Sequence, residues 1–291
     1  MDHLIWTDKP ELRDPVLVCA FRGWNDAGES ATAAVGFLVE SFDATEVARV
    51  DPEDFFDFTA VRPTVRLTKG RARAIDWPAN VLTAARVPGA ERDLIFLQGV
   101  EPSLHWRAFT GVVAGAAREL GVGLVLTLGA LLADVPHSRP VAVSGLASDE
   151  ALIERLGLER TSYEGPTGIV GVLHDACQRT SLPSASLWAA VPHYVAAAPN
   201  PKAALALVRR FEGIAGVAVD GSALEEASAD YERQVNAAVA SDPEVKAFVE
   251  KLEESMDEAD EVKPLPEQIP SADAIARDFQ RFLRQRRPDE S

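Results

Sequence analysis

The sequence predicts an α/β protein: a mixed, mostly parallel, doubly wound sheet followed by a C-terminal helical appendage. Three observations predict it. Short β-branched apolar runs alternate with longer helical patterns through about residue 220, as in parallel strands joined by right-handed helical crossovers. The run Val16 to Phe21 ends in a polar, glycine-flanked loop, Arg22-Gly23-Trp24-Asn25-Asp26-Ala27-Gly28, which opens a helical pattern from Glu29 to Glu40. Open sheets of this kind place ligands beyond the carboxyl ends of their strands, against helix amino termini. From Gly221 onward the strand signals stop and only helical stretches remain.

The elements follow in order. After the first strand, loop and helix, Thr45 to Val50 reads as a second strand. Thr64 to Thr68 and Arg71 to Trp77 flank Lys69-Gly70 and predict a tight hairpin, which adds antiparallel strands and makes the sheet mixed. Asn80 to Val87 reads as a further strand. Asp93 to Gly99 is a continuous apolar run of buried-strand type, and a helix is expected from Trp106 to Leu120, closed by Gly121. Leu124 to Leu128 is another buried strand, followed by the polar loop Asp134-Val135-Pro136-His137-Ser138-Arg139-Pro140. Val141 to Ser144 is extended, and Asp149 starts a helix ending near Leu156.

Tyr163-Glu164-Gly165-Pro166-Thr167-Gly168 is similar in kind to the first loop. It opens a helix from Ile169 to Arg179, with Thr167 as expected N-cap. Ser186 to Val191 is the last core strand and ends at Pro192-His193-Tyr194. Asn200 caps a helix with Pro201 at its first position, running to about Glu212. We read residues 1–220 as the α/β core and 221–291 as the appendage. Within the appendage, Leu224 to Ala240 and Glu244 to Glu261 are amphipathic, the second entered by Ser241-Asp242-Pro243. Val245, Phe248, Val249, Leu252 and Met256 recur at helical spacing. Between Glu225 and Glu261 there are 13 acidic and 3 basic residues. Lys263-Pro264-Leu265-Pro266 breaks the pattern before a last helix, Ser271 to Arg286, whose arginines would suit the acidic helices.

Composition narrows the classes of function. The chain has 291 residues, 47% apolar and 25% charged, enough for a full core. A net charge of −16 argues against non-specific binding to nucleic acid or an anionic membrane. Met1 to Leu12 lacks the basic start and apolar core of a signal peptide, and no apolar run reaches the ~20 residues a membrane span needs. Cys19 lies in an apolar strand and Cys177 in a helical pattern, so both are expected as buried thiols in a reducing, cytoplasmic compartment.

The motifs of familiar chemistry are missing: there is no phosphate loop, G-x-G-x-x-G, G-x-S-x-G elbow, C-x-x-C or H-E-x-x-H. The histidines are scattered, so no metal and no cofactor is expected. What remains is a set of loop residues the fold would bring to one edge of the sheet: Arg22, Asn25, Asp26, Glu101, His137, Arg139, Glu164 and Thr167, with His105 and His193 nearby. On one reading they line a small-molecule pocket for an anionic or sugar-like ligand, with Asp26, Glu101 or Glu164 as general base. On the other they are structural. Asn25 and Asp26 would cap the first helix, His137 and Arg139 would pair with Asp134 or a neighbouring subunit, and Glu164-Gly165-Pro166 would form a turn.

Three phrases in this order and spacing carry a family resemblance: Gly23-Trp24-Asn25-Asp26-Ala27-Gly28, Leu132-Ala133-Asp134-Val135-Pro136-His137-Ser138-Arg139-Pro140, and Tyr163-Glu164-Gly165-Pro166-Thr167-Gly168. Over roughly residues 1–220, and more loosely in the tail, the chain resembles the proteasome assembly chaperone family in its actinobacterial-type branch. The resemblance implies a core laid out like nucleoside phosphorylases and peptidyl-tRNA hydrolases. It also implies a non-catalytic chaperone that binds proteasome subunits, and it transfers no catalytic residues. Some such chaperones dock through a C-terminal hydrophobic–tyrosine–any tripeptide. Here no tyrosine follows Tyr231 and the sequence ends Pro288-Asp289-Glu290-Ser291, a departure from that pattern. Self-association is expected from the amphipathic tail helices. The alternative is an enzyme or binding protein of phosphorylase-like fold acting on a nucleoside-like or anionic metabolite.

Overall fold

The computed structural model describes residues 3–68, 72–147, 150–158, 163–195 and 197–261. Eight strands form one sheet in the order β1 (Leu4–Trp6), β3 (Thr45–Val50), β6 (Asn80–Ala85), β7 (Leu94–Val100), β2 (Val16–Arg22), β8 (Leu124–Ala133), β10 (Ser184–Pro192), β9 (Val143–Ala147). The four central strands β7, β2, β8 and β10 run parallel. Antiparallel strands extend the sheet on both flanks, with β6, β3 and β1 on one side and β9 on the other. The hairpin strands β4 (Thr64–Thr68) and β5 (Ala72–Asp76) pair only with each other, as a separate ribbon between β3 and β6.

Strand β2 shows why the centre is where it is. Val16, Val18 and Ala20 face one apolar cluster while Leu17, Cys19 and Phe21 face the other, and all six are essentially inaccessible to water. A strand buried on both faces reads as an unbroken apolar run, because the period-2 alternation distributes apolar groups to two cores. Helices α1 (Ser30–Ser41) and α5 (Pro201–Ala215) cover the first face, joined by Leu152 of α3 (Glu150–Leu156) and Leu224 of α6 (Ser222–Ala240). Helices α2 (Trp106–Glu119) and α4 (Ile169–Arg179) cover the second. Cys19 and Cys177 are buried in this second core as free thiols. Burial pushes the Cys177 thiol up to about 11 and Cys19 well above its ordinary value, which leaves both as unreactive thiols. His174 of α4 bridges Ser184 (2.9 Å) and Thr127 (3.1 Å), and burial lowers it to about 4, so the ring is neutral.

The structure departs from the sequence reading in several places. Strand β1 was not expected; it is three residues long and exists through antiparallel pairing with β3. Strand β8 continues to Ala133, five residues beyond the predicted end, because β10 pairs with it residue for residue up to Pro192↔Ala133. The extended segment expected over Val141 to Ser144 lies at Val143–Ala147, set by pairing with β10. Asn200 caps α5 as predicted, its Oδ1 accepting from the Ala203 amide at 3.0 Å, and the helix runs on to Ala215. The hairpin tip Lys69-Gly70, Asp149 and the predicted helix from Ser271 to Arg286 lie outside the described residues. Among the described residues no helix is long and apolar enough to cross a membrane.

In the C-terminal helical region, α6 packs along α5 and buries Leu224, Ser228, Tyr231 and Val235. The following helix, α7 (Pro243–Glu261), is mostly exposed, with Val249 its one fully buried described side chain.

Candidate functional site: the carboxyl edge of the sheet

The loops after β2 and β7 and the loop before α4 meet at a single carboxylate. Glu101, just beyond β7, accepts from the Asn25 side-chain amide at 2.9 Å and from the Ile169 backbone amide at 2.8 Å, both through Oε1. Its Oε2 lies 3.4 Å from the Trp24 amide. Ile169 is the first residue of α4, so Glu101 supplies the acceptor that the open helix end requires, and its negative charge suits the helix dipole. This corrects the expectation for Thr167. Its hydroxyl makes no cap hydrogen bond, Gly168 is the N-cap residue, and a carboxylate 68 positions away in sequence does the capping.

Two glycines make the meeting possible. A side chain at Gly168 would place its Cβ 2.4 Å from the Asn25 amide nitrogen. Gly23 has φ +144, a backbone that L side chains rarely adopt, and its Cβ position lies 3.0 Å from Glu101 Cβ. The glycine positions in the two similar loops are therefore close-approach positions around one polar knot.

Asp26 faces the other way, into α1. Its Oδ1 accepts from the Ala31 amide at 2.7 Å and the Thr32 amide at 3.3 Å, and its Oδ2 accepts from the Thr32 hydroxyl. Burial pushes this carboxyl above the ordinary aspartate range, against the opposing pull of these donors. Asp26 is 6% exposed, and its bonding directions are taken by the helix start rather than by open space. Asn25 is 2% exposed. Asp26 caps the first helix as the structural reading expects, whereas the Asn25 side chain makes no bond to that helix and ties the loop to Glu101 instead.

His137 and Arg139 belong to a different cluster. His137 is buried at 4% exposure; its backbone amide donates to the Tyr194 hydroxyl at 2.7 Å, and its Nδ1 lies 2.7 Å from the same oxygen. Its Nε2 faces Asn236 Oδ1 of α6 at 3.0 Å. The tautomer consistent with all three has hydrogen on Nε2, with Tyr194 accepting from the amide and donating to Nδ1. Burial pushes the Tyr194 hydroxyl up to about 12. Lys202 donates to the His137 carbonyl and pairs with Glu232 at 2.7 Å. Arg139 grips Asp257 of α7 through Nε (3.2 Å) and Nη2 (2.7 Å), and Ser138 donates to Glu253. Arg139 thus pairs within the chain with α7, while Asp134 pairs with His193 at 2.9 Å. The loop after β8 is a clamp on α6 and α7, and the void among His137, Arg139, Lys202 and Tyr231 is about 10 Å³, room for roughly one water.

The remaining candidates stand apart. Glu164 and Thr167 are exposed, as is His105, which precedes α2 with φ +53. Arg22 ends β2, its Nε 3.9 Å from Glu29, at the rim of an open groove of about 330 Å³. That groove runs between α1 and the faces of β6 and β7, floored by Val81, Thr83 and Gln98. The structure therefore joins Asn25 with Glu101, joins His137 and Arg139 to the tail, and leaves Arg22, Glu164 and Thr167 outside both groups. Tyr194, Lys202 and Asn236 were missed as members of the His137 cluster; the signal available was the Pro192-His193-Tyr194 strand end. Among the described residues no group of three or more His, Cys, Asp or Glu is placed to hold a metal ion.

Comparison with known proteins agrees with this architecture. No curated protein matches the chain. A PAC2 family protein from Streptomyces avermitilis, of known structure, is 48% identical, with 81% of this chain and 100% of that one covered and a TM-score of 0.76. A proteasome-assembly chaperone homologue from Mycobacterium tuberculosis is 43% identical, with 80% and 99% covered and a TM-score of 0.74. The archaeal proteasome activator PbaB of Pyrococcus furiosus, at 19% identity, 82% and 99% coverage and a TM-score of 0.67, shares the fold. The PAC2 family model matches residues 20–239, which takes in all three loop motifs, and the chain belongs to the PAC2 family.

Proposed function

We propose that the protein is a non-catalytic, chaperone-like interaction protein that self-associates and binds proteasome subunits in the cytoplasm. The observation that carries this reading is the way the polar groups at the carboxyl edge are used. Asn25, Asp26 and Glu101 spend their hydrogen bonds on each other and on helix amides, so they hold loops in place instead of facing a substrate. Such a rigid edge suits presentation of a fixed surface to another protein. The similarity to a proteasome-assembly chaperone homologue supports the class of partner. The test is affinity capture of the tagged full chain from its own cells under native conditions, with quantitative mass spectrometry. Enrichment of proteasome subunits over an untagged control is expected; their absence from a capture that holds the intact chain sinks this assignment.

A second reading, a binding protein for an anionic or nucleoside-like metabolite, is favoured by one observation, the groove of about 330 Å³ with Arg22 at its rim. Pockets for small molecules begin at about this size. A thermal-shift screen of nucleosides, phosphosugars and inorganic anions tests it. A hit at a hundredfold excess over its dissociation constant adds ~2.7 kcal/mol of stability, and it must vanish in Arg22→Ala to support this groove.

A further inference from the structure

Strand β7 carries one polar side chain in an otherwise apolar run, Leu94-Ile95-Phe96-Leu97-Gln98. Gln98 stands between Val81 of β6 and Ala20 of β2, and Ala20 belongs to the first apolar cluster. Gln98 therefore lies on the face that α1 covers, and strand alternation puts Val100 and Arg22 on that same face, two residues further along. Its Nε2 donates to the Thr32 main-chain carbonyl of α1 at 2.9 Å. That bond fixes the orientation of the amide and leaves Oε1 as an acceptor with no donor among the described residues. Gly36 makes room for it, since a Cβ there would lie 3.1 Å from Nε2.

Gln98 lines the groove of about 330 Å³ beside α1, whose other walls are aliphatic: Val39 of α1, and Ala79, Val81 and Val100 of the sheet. Arg22 stands at its rim with a side chain 62% exposed. The Arg22 Nε is 3.9 Å from Glu29, and the guanidinium makes no hydrogen bond to a described residue. Arg49, which pairs with Val81 from the other side, commits its Nε and Nη2 to Glu46 at 2.8 and 2.9 Å. Arg22 is thus the one cation lining the groove, and the nearby Glu29 offsets part of its charge, so the site suits a single negative charge. By register, Arg22 and Gln98 sit on adjacent strands two residues apart, about 8 Å between their Cα atoms. One small molecule can meet both side chains.

Each part of the groove calls for a different chemical group. A carboxylate matches the planar guanidinium, an N–H matches the open Gln98 Oε1, and an aliphatic side chain matches the valines. We propose that the groove binds a carboxylate that carries a neighbouring acylated N–H and an aliphatic side chain. That chemistry is shared by an N-acyl aliphatic amino acid and by the C-terminal residue of a peptide. A phosphate monoester brings close to two negative charges at neutral pH and finds no second cation among the lining residues. This rests on the second reading of the groove and names the class of its ligand.

Calorimetric titration of the full chain with N-acetyl-leucine tests it. Binding is expected, and N-acetyl-leucinamide, which lacks the carboxylate, should bind about tenfold more weakly, the size of a hydrogen bond to a charged group. The ester analogue, with oxygen in place of the N–H, should bind about fivefold more weakly, and it probes Gln98 without altering the protein. Arg22→Ala, at an exposed side chain, should remove the preference for the acid over its amide and leave the melting temperature of the free protein unchanged. An acetylated Ala-Ala-Leu peptide separates the two sources. Binding as tight as that of N-acetyl-leucine marks a chain terminus as the ligand, and its exclusion marks a free metabolite. No binding of N-acetyl-leucine, or equal binding of the acid, the amide and the ester, overturns the proposal. If inorganic phosphate or a nucleotide binds instead and needs Arg22, the anion-binding reading of the groove stands without it. If none of these anions binds, both fall.

Discussion

The two ends of the parallel strands each bury an aspartate, and the two behave in opposite ways. At the amino end, Asp93 is 1% exposed and accepts from the Arg13 guanidinium (2.6 and 3.2 Å), the Arg13 amide (2.8 Å) and the Val87 amide (3.0 Å). Burial alone would raise its pKa, but these donors and the Arg13 charge outweigh it and hold the carboxyl at about 2. At the carboxyl end, Asp26 has a comparable number of donors, all of them neutral, and burial wins. Asp26 also sits deeper in the molecule and near the negative Glu29, whereas Asp93 has the Arg13 guanidinium, so depth and neighbouring charge together send the two carboxyls in opposite directions. The amino end is consequently an electrostatic clamp, and the carboxyl end is a set of caps.

The largest test of this contrast is Asp93→Ala. It leaves the Arg13 and Val87 amides without their acceptor and should cost about 3 kcal/mol in urea unfolding, while the half-exposed guanidinium keeps its bonds to the Ala90 and Val87 carbonyls. The pH dependence has a definite sign. Because the folded pKa is depressed from 3.8 to about 2, the contribution is fully present above pH 3.8 and is lost as pH falls toward 2, by about 2 kcal/mol. Asp93→Asn should lose that acid-side dependence; if it titrates like the wild type, the clamp is not electrostatic.

Glu101→Ala comes next. It strips the acceptor from the Ile169 and Asn25 donors and should cost about 2–3 kcal/mol, while Glu101→Gln, which keeps a carbonyl oxygen there, should cost about 1 kcal/mol. Equal losses in the two would show that space filling rather than capping is the role.

Asp26 should respond the other way from Asp93. Its folded pKa is raised, so its contribution is present below the unfolded value and is lost as pH rises through the folded one. Asp26→Asn, an equally good cap, should stay within about 1 kcal/mol of wild type at neutral pH. A loss as large as that of Asp93→Ala would erase the contrast.

The smallest effect belongs to Arg139→Ala. An exposed ion pair contributes little to global stability, so the urea midpoint should not move. Amide hydrogen exchange in α7 should quicken several-fold while α1 and α4 keep their protection. Uniform quickening in all three helices would show that the loop after β8 supports the core itself.

Much of this architecture was legible in the chain. The apolar run of β2, the Asn200-Pro201 start of α5 and the hairpin pattern all depend on neighbours in sequence, and each appears close to its expected place. The misses share a cause. Strand β1 and the last five residues of β8 are extended because a distant strand pairs with them, and a three-residue run carries no periodicity of its own. Thr167 had the right chemistry for a cap, but Glu101 arrived at the helix end first through tertiary structure. Arg139 had an acidic partner 118 positions away, which no local pattern could nominate over Asp134.

The sequence by itself settled the α/β class, the family, the two thiols in apolar elements, and the loops that would stand at the carboxyl edge. Those follow from periodicity, composition and short motifs, all of which act over a few residues. Only the tertiary structure decided that Glu101 ties two of those loops together while His137 and Arg139 hold α6 and α7. It also decided that the hairpin stands apart from the main sheet. Hydrogen bonds and ion pairs are made over about 3 Å in space, and the chain brings residues to that distance without regard to their separation along it.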